Sequence, residues 1–159
     1  MVRAASEASI ATETPTGVLL DTNILLDVIL DRNPWAEEAT VLLDVIAKRR
    51  APGYVASHAV TTVYYIVERA EGRATAITAV SDLLELLEVV PLEGADFQRA
   101  LALGLKDYED AVQAAACLKV GAKFLVTRNE RDFKGAPVTP RSAAEVLALF
   151  TGPRGIMQE

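Results

Sequence analysis

The chain has 159 residues and a mass of 17.1 kDa with 51 % hydrophobic residues, enough for one domain with a real core and too short for two. Sixteen Lys and Arg against 22 Asp and Glu give a formal net charge of −6, which excludes a general electrostatic grip on nucleic acid or an anionic membrane. A single cysteine, Cys117, excludes an intramolecular disulfide and a multi-cysteine zinc site, and fits a reducing cytoplasm.

No run approaches 18 uncharged apolar residues, so no membrane span is expected. Residues 1–16 carry Glu7 and Glu13 where a signal peptide needs its apolar stretch, and their Ala/Ser/Thr/Glu bias predicts a mobile tail. Residues 17–20 form a short apolar run of the kind buried on both faces of a sheet, closed by Asp21, Thr22 and Asn23. Residues 24–30 turn helical. Asn33 as cap, Pro34 in the first turn and Glu37 and Glu38 behind it predict a helix through about residue 48.

A second strand is expected at 54–56, with Ser57 capping a helix on which Val60, Val63, Tyr64 and Val67 recur at helical spacing up to Gly72. Another helix follows over 74–87. Residues 89–92 read as a third strand whose Pro91 marks an end or an edge, and 95–103 as a helix. An alanine-rich helix at 107–118, a strand at 123–127, a short strand at 137–139 and a helix at 141–150 complete the pattern, leaving 151–159 as a short tail. Strands alternating with helices predict one domain over 17–150, built on a parallel sheet covered by helices on both faces. Ligands of such sheets bind beyond the carboxyl ends of the strands.

Acids recur at those ends. Asp21 closes the first strand, Asp107, Glu109 and Asp110 open the alanine-rich helix, and Asn129 and Asp132 follow the fourth strand. Carboxylates gathered from several strand ends suit a hard divalent cation such as Mg²⁺ or Mn²⁺. Each also has a structural reading: Asp21, Thr22 and Asn23 are good helix caps, Asp107 and Asp110 resemble a capping box, and Asp132 suits a turn. Asp110 precedes a helix that is apolar nearly all round, and no Lys or Arg stands three or four residues beyond it, which favours a ligand role.

The run Leu19–Leu20–Asp21–Thr22–Asn23–Ile24–Leu25–Leu26–Asp27 resembles the opening motif of PIN-domain nucleases. Asp110 with Ala111–Val112–Gln113–Ala114–Ala115–Ala116 resembles that family's acid followed by an alanine-rich helix. Leu125–Val126–Thr127–Arg128–Asn129–Glu130–Arg131–Asp132–Phe133 resembles its T-R-[ND]-x-x-D-F block. The resemblance covers about residues 17–150. It implies a three-layer α/β/α sandwich with a parallel sheet of four to five strands in the order 3-2-1-4-5. It also implies a metal-dependent endoribonuclease of the sort found in VapC-type toxins and their stand-alone relatives.

Residue by residue, Asp21, Asp110 and Asp132 match the family's first, third and fourth acids and take the catalytic and metal-binding roles. Thr127 matches its supporting hydroxyl and Asn129 a supporting Asn or Asp, with Asn23, Asp107 and Glu109 beside them. The family's second acid, early in the helix after the second strand, has no counterpart, because that stretch reads Ser57–His58–Ala59–Val60–Thr61–Thr62. Glu68, the nearest acid, is the candidate for that second acid, although it lies roughly 16 Å along the helix from Ser57. Glu109 or Asp107 could supply the missing charge, or waters could fill the coordination sphere.

Arg128 and Arg131 flank the acids and could hold an RNA phosphate. His58, near a strand end, could touch a phosphate but is read as a partly buried polar residue, Cys117 as core, and one of Tyr64 and Tyr65 as packing. The expected partners are RNA, an antitoxin protein if the chain is a toxin, and a second copy. Trp35, Leu42, Leu43 and Tyr65 give the helices after strands one and two more apolar surface than one sheet face covers. The rival readings are a catalytically weak or inactive PIN-like scaffold, suggested by the missing acid, and a receiver-like domain. The latter is disfavoured because Pro91–Leu92–Glu93–Gly94 follows the third strand where a phosphoacceptor Asp belongs.

Overall fold

A computed structural model of the chain describes residues 17–48 and 50–150. The tails expected at 1–16 and 151–159 lie outside the described residues. Five strands, β1 (Val18–Leu20), β2 (Gly53–Ala56), β3 (Glu88–Val90), β4 (Phe124–Val126) and β5 (Pro140–Arg141), form one parallel sheet in the order β3-β2-β1-β4-β5. The helices are α1 (Thr22–Ile29), α2 (Trp35–Ala47), α3 (Ser57–Glu71), α4 (Arg73–Leu86), α5 (Gly94–Ala102), α6 (Tyr108–Val120) and α7 (Ala143–Phe150). A 3₁₀ turn spans Glu130–Phe133. Among the described residues no helix is long and apolar enough to cross a membrane.

Side chains alternate across a strand, and the alternation builds the two cores. Val18 and Leu20 of β1 and Phe124 and Val126 of β4 pack with Ile24, Leu42, Val63, Val67 and Val146 from α1, α2, α3 and α7. Leu19 and Leu125 point to the other face and pack with Ala114, Ala116 and Cys117 of α6 and with Phe133. Small side chains let α6 lie close over the sheet, while Ala111, Val112 and Ala115 meet Ala100 of α5 on its outer side. This sandwiching buries seven consecutive residues from Ala111 to Cys117, and burial pushes the Cys117 thiol up to about 12, as suits a core residue.

Three local expectations are corrected. Asn33 does not cap α2, because the helix begins one residue later and the Ala36 N–H is satisfied by the Arg32 carbonyl at 2.9 Å. Ser57 lies inside α3 rather than capping it, and its hydroxyl instead accepts the Leu92 N–H at 3.2 Å, tying the start of α3 to the segment after β3. The fifth strand sits three residues beyond 137–139, because the 3₁₀ turn, anchored by buried Phe133, takes up chain before pairing resumes. Pro140 is tolerated there because β5 is an edge strand. Leu42 is fully buried, so it contributes nothing to an exposed apolar surface, whereas Trp35 and Tyr65 remain 45 % and 58 % exposed.

Gly53 is closely packed on the sheet: a Cβ there would lie 2.7 Å from Leu87 Cδ2 and 2.8 Å from Ile46 Cγ2. Overpacking a core costs about 1–3 kcal/mol. The opposing gain from a less flexible unfolded chain is about 0.4–1 kcal/mol. Gly53→Ala is therefore expected to lower stability by about 1 kcal/mol, seen as a lower urea midpoint at unchanged slope.

Candidate active site

The carboxyl ends of β1 and β4 lie side by side at the centre of the sheet, and the chain leaves each through a polar residue. Asp21 directly follows β1 and is only 4 % exposed. It occupies the capping position of α1 but makes no side-chain cap bond, so the capping reading does not account for it. Its Oδ2 instead accepts the hydroxyl of fully buried Thr127, which follows β4, at 2.9 Å. The same hydroxyl oxygen accepts the Asn129 N–H at 3.1 Å, so Thr127 holds the Asp21 carboxylate and the start of the following loop together. Burial pushes the Asp21 carboxyl up to about 6; Thr127 opposes this and the charge of Glu109 adds to it.

The first turn of α6 supplies the other acids. Asp107 caps the helix by accepting the Asp110 N–H at 3.0 Å, as its spacing predicts. Carboxylate oxygens of Asp107, Glu109 and Asp110 lie within 4.8 Å of one another. Burial pushes the Asp110 carboxyl up to about 7, reinforced by the charges of Asp107, Asp21, Glu109 and Asp132. Asp132 itself is exposed on the 3₁₀ turn, its N–H donating to the Asn129 carbonyl at 3.0 Å. Asn129 is exposed just before that turn, and Asn23 is half-buried as the second residue of α1.

Glu109 is held by three donors on one oxygen. Its Oε1 accepts Gln113 Nε2 at 3.1 Å and the Thr22 hydroxyl at 3.4 Å, and pairs with His58 Nε2 at 3.0 Å. Gln113 is fully buried and bridges to Thr22 Oγ1 at 3.0 Å as well. Burial alone would raise the Glu109 carboxyl, but the His58, Gln113 and Thr22 contacts outweigh it and hold the group below its ordinary value. His58, read from the sequence as a partly buried polar residue, thus enters this network. Gln113, a lone polar residue one turn beyond Glu109 on an apolar helix, was the sequence signal for it.

Glu68 does not join the acids. It lies ten residues beyond His58 on α3, roughly 15 Å along the axis, and its charge is not among those shifting Asp21 or Asp110. Arg128 is engaged elsewhere: its Nε stands 2.8 Å from Oδ2 of fully buried Asp27, and its guanidinium lies 4.0 Å over the Trp35 ring. Arg32 approaches the same carboxylate at 3.9 Å. Arg131, on the 3₁₀ turn, is exposed.

The Asp110 shift makes a pH prediction. Its folded value, about 7, lies above the ordinary 3.8, so the folded state binds the extra proton between about pH 4 and 7. Stability of the protein in chelator should therefore fall as pH rises through that window. Asp110→Asn removes the charge and should melt above wild type at pH 8, the gap closing toward pH 4 in thermal scans. A residue acting only through the helix dipole gives the opposite sign at pH 8, a loss of about 0.3–1 kcal/mol.

Residues 17–131 match the PIN domain. Ribonuclease VapC1 of Aquifex aeolicus is 24 % identical over 121 residues, covering 73 % of this chain and 83 % of that protein. The fold is shared with VapBC2 from Rickettsia felis bound to a DNA fragment from its promoter, at a TM-score of 0.63 and 19 % identity over 79 % of this chain and 98 % of that one. It is shared also with VapC20 of Mycobacterium tuberculosis, a sarcin–ricin loop cleaving toxin, at a TM-score of 0.56 and 15 % identity over 68 % and 86 % of the two chains. With the matched segment spanning most of its length, the chain belongs to the PIN domain family.

Proposed function

We propose that this chain is a divalent-metal-dependent endoribonuclease that hydrolyses RNA phosphodiester bonds as the toxin of a toxin–antitoxin pair. The observation that carries this reading is the set of acids at the carboxyl edge of the sheet, where Asp21 and Asp110 are pushed up to about 6 and 7 by burial and mutual repulsion. An all-oxygen donor set of this kind fits Mg²⁺ or Mn²⁺, which Asp21, Asp110 and Asp132 would hold. When bound, the cation supplies positive charge to the scissile phosphate and acidity to a water.

The chain's own residues arrange that edge. Thr127 fixes the orientation of Asp21, and Asp107 holds the first turn that carries Asp110. The exposure of Arg131, next to Asp132 in the chain, supports a role for it in meeting a phosphate oxygen, whereas Arg128 is spoken for by Asp27 and Trp35. A cation at this edge also explains how a chain of net charge −6 could approach a polyanion, since the ion stands between two like charges.

The naming of the Aquifex relative as a ribonuclease and of VapC20 as a toxin supports RNA as substrate and a toxin role. The reading brings with it an antitoxin protein and a reducing cytoplasm, in keeping with the buried thiol of Cys117. It also brings a homodimer, for which exposed Trp35, Tyr65, Phe97 and Leu101 offer apolar surface.

Purified protein should cut single-stranded or loop RNA with Mg²⁺ or Mn²⁺ and stop in chelator. Asp21→Asn and Asp110→Asn should each lower the rate by more than about 100-fold, the several kcal/mol that metal-assisted stabilisation supplies. Equal cleavage by wild type and both variants would assign the activity to a contaminant. Light scattering at high micromolar concentration should return twice the 17.1 kDa chain mass, and a value of one chain mass would remove the homodimer.

A further inference from the structure

The junction of β2 and α3 reaches the same edge of the sheet as Asp21 and the start of α6, yet brings no acid to it: the helix opens with Ser57, His58 and Ala59. What it brings is His58, and His58 is directed onto a carboxylate from another element, Glu109, at 3.0 Å. Thr22 from the start of α1 and Gln113 from the next turn of α6 converge on the same oxygen. Three elements therefore fix one side chain that is otherwise 44 % exposed. Holding a half-exposed glutamate costs side-chain entropy, and all three contacts fall on Oε1, leaving Oε2 outside the network. Glu109 also shares the tight carboxylate group with Asp107 and Asp110. Asp107 is already used as the helix cap through Oδ1, whereas Glu109 is the member of that group whose orientation is fixed from three elements while Oε2 stays outside the network.

We propose that Glu109 is a cation ligand beside Asp21 and Asp110, supplying from α6 the carboxylate that α3 lacks, and that His58 is its positioning residue. The proposal rests on the reading of this edge as a cation site. Gln113 strengthens it: the side chain is fully buried, its Oε1 has no hydrogen-bond partner among the described residues, and its Nε2 is directed at Glu109 and Thr22. A buried amide with one end unsatisfied is costly to keep, and its role in orienting Glu109 accounts for it. The arrangement is that of a ligand whose orientation is set by hydrogen-bonding neighbours.

The test is Mn²⁺ binding by calorimetry on the full chain, with melts in chelator confirming that each variant is folded. Glu109→Gln keeps an oxygen acceptor for His58, Gln113 and Thr22 but removes the charge. It is expected to weaken Mn²⁺ binding by about 10- to 100-fold, with Asp110→Asn in the same range and Glu68→Gln unchanged. His58→Ala should weaken binding by about tenfold, and His58→Gln, which restores a donor, should recover part of it. If Glu109→Gln binds Mn²⁺ as wild type does while Asp110→Asn does not, the proposal falls and the cation site stands. If wild type takes up no Mn²⁺, the nuclease reading falls and the proposal with it. Should Glu109→Gln melt far below wild type, His58→Ala decides: affinity equal to wild type overturns the positioning role and the ligand role it serves.

Discussion

Like charges held close together are the constraint around which this molecule is arranged. Asp21, Asp107, Glu109, Asp110 and Asp132 come from three separate stretches of chain, and their repulsion favours spreading them apart. The fold opposes this with backbone rather than with counter-charge. β1 is the central strand and β4 its neighbour, so Asp21 is placed by a ladder that cannot shift by one residue without moving Val18 and Leu20 out of one core and Leu19 out of the other. Thr127 and Asp107, both neutral or capping in their contacts, then fix the carboxylates locally.

Cations are present nearby but are committed to other tasks. Asp27, fully buried on α1, takes Arg128 at 2.8 Å and Arg32 at 3.9 Å, and Trp35 covers the Arg128 guanidinium. An isolated buried carboxylate is costly, and removing one partner of a buried pair costs about 3–5 kcal/mol, so Arg128 is not readily released to solvent. Its fixed position ties α1 and the start of α2 to the residue between Thr127 and Asn129. The arginine thereby anchors the loop bearing Asn129 and Asp132 and is not available to neutralise the acids.

The same logic explains α6. Its alanines and Cys117 allow close approach to four strands, which carries the first turn over the sheet edge, while Lys119 at the far end reaches Asp96 at 2.7 Å and the Pro91 carbonyl at 2.7 Å. A bulkier helix would ride higher and lift Asp110 away from Asp21. The composition of one helix thus sets how close its own charges come to a charge carried on another element.

Much of this was legible in the chain itself. Apolar runs of three or four residues, alternating with helical spacing, pointed to a parallel α/β arrangement, because strands such as β1 and β4 had to be buried on both faces. Resemblance to the three PIN-domain motifs singled out Asp21, Asp110 and Asp132, and chain position alone already put Asp21 just past a buried strand and Asp110 in the first turn of a buried helix. What only the tertiary structure decided was the partnership of side chains far apart in sequence. His58 and Glu109 are 51 residues apart, and nothing local to either specifies that they meet. Arg128 reads as a surface arginine until Asp27 is found buried beneath it. The shift of β5 was likewise invisible, because the length of chain consumed by the 3₁₀ turn depends on where Phe133 finds its core. Periodicity reports which face of an element is buried; it carries no information about which polar group on another element waits there, and that is fixed only when the layers close.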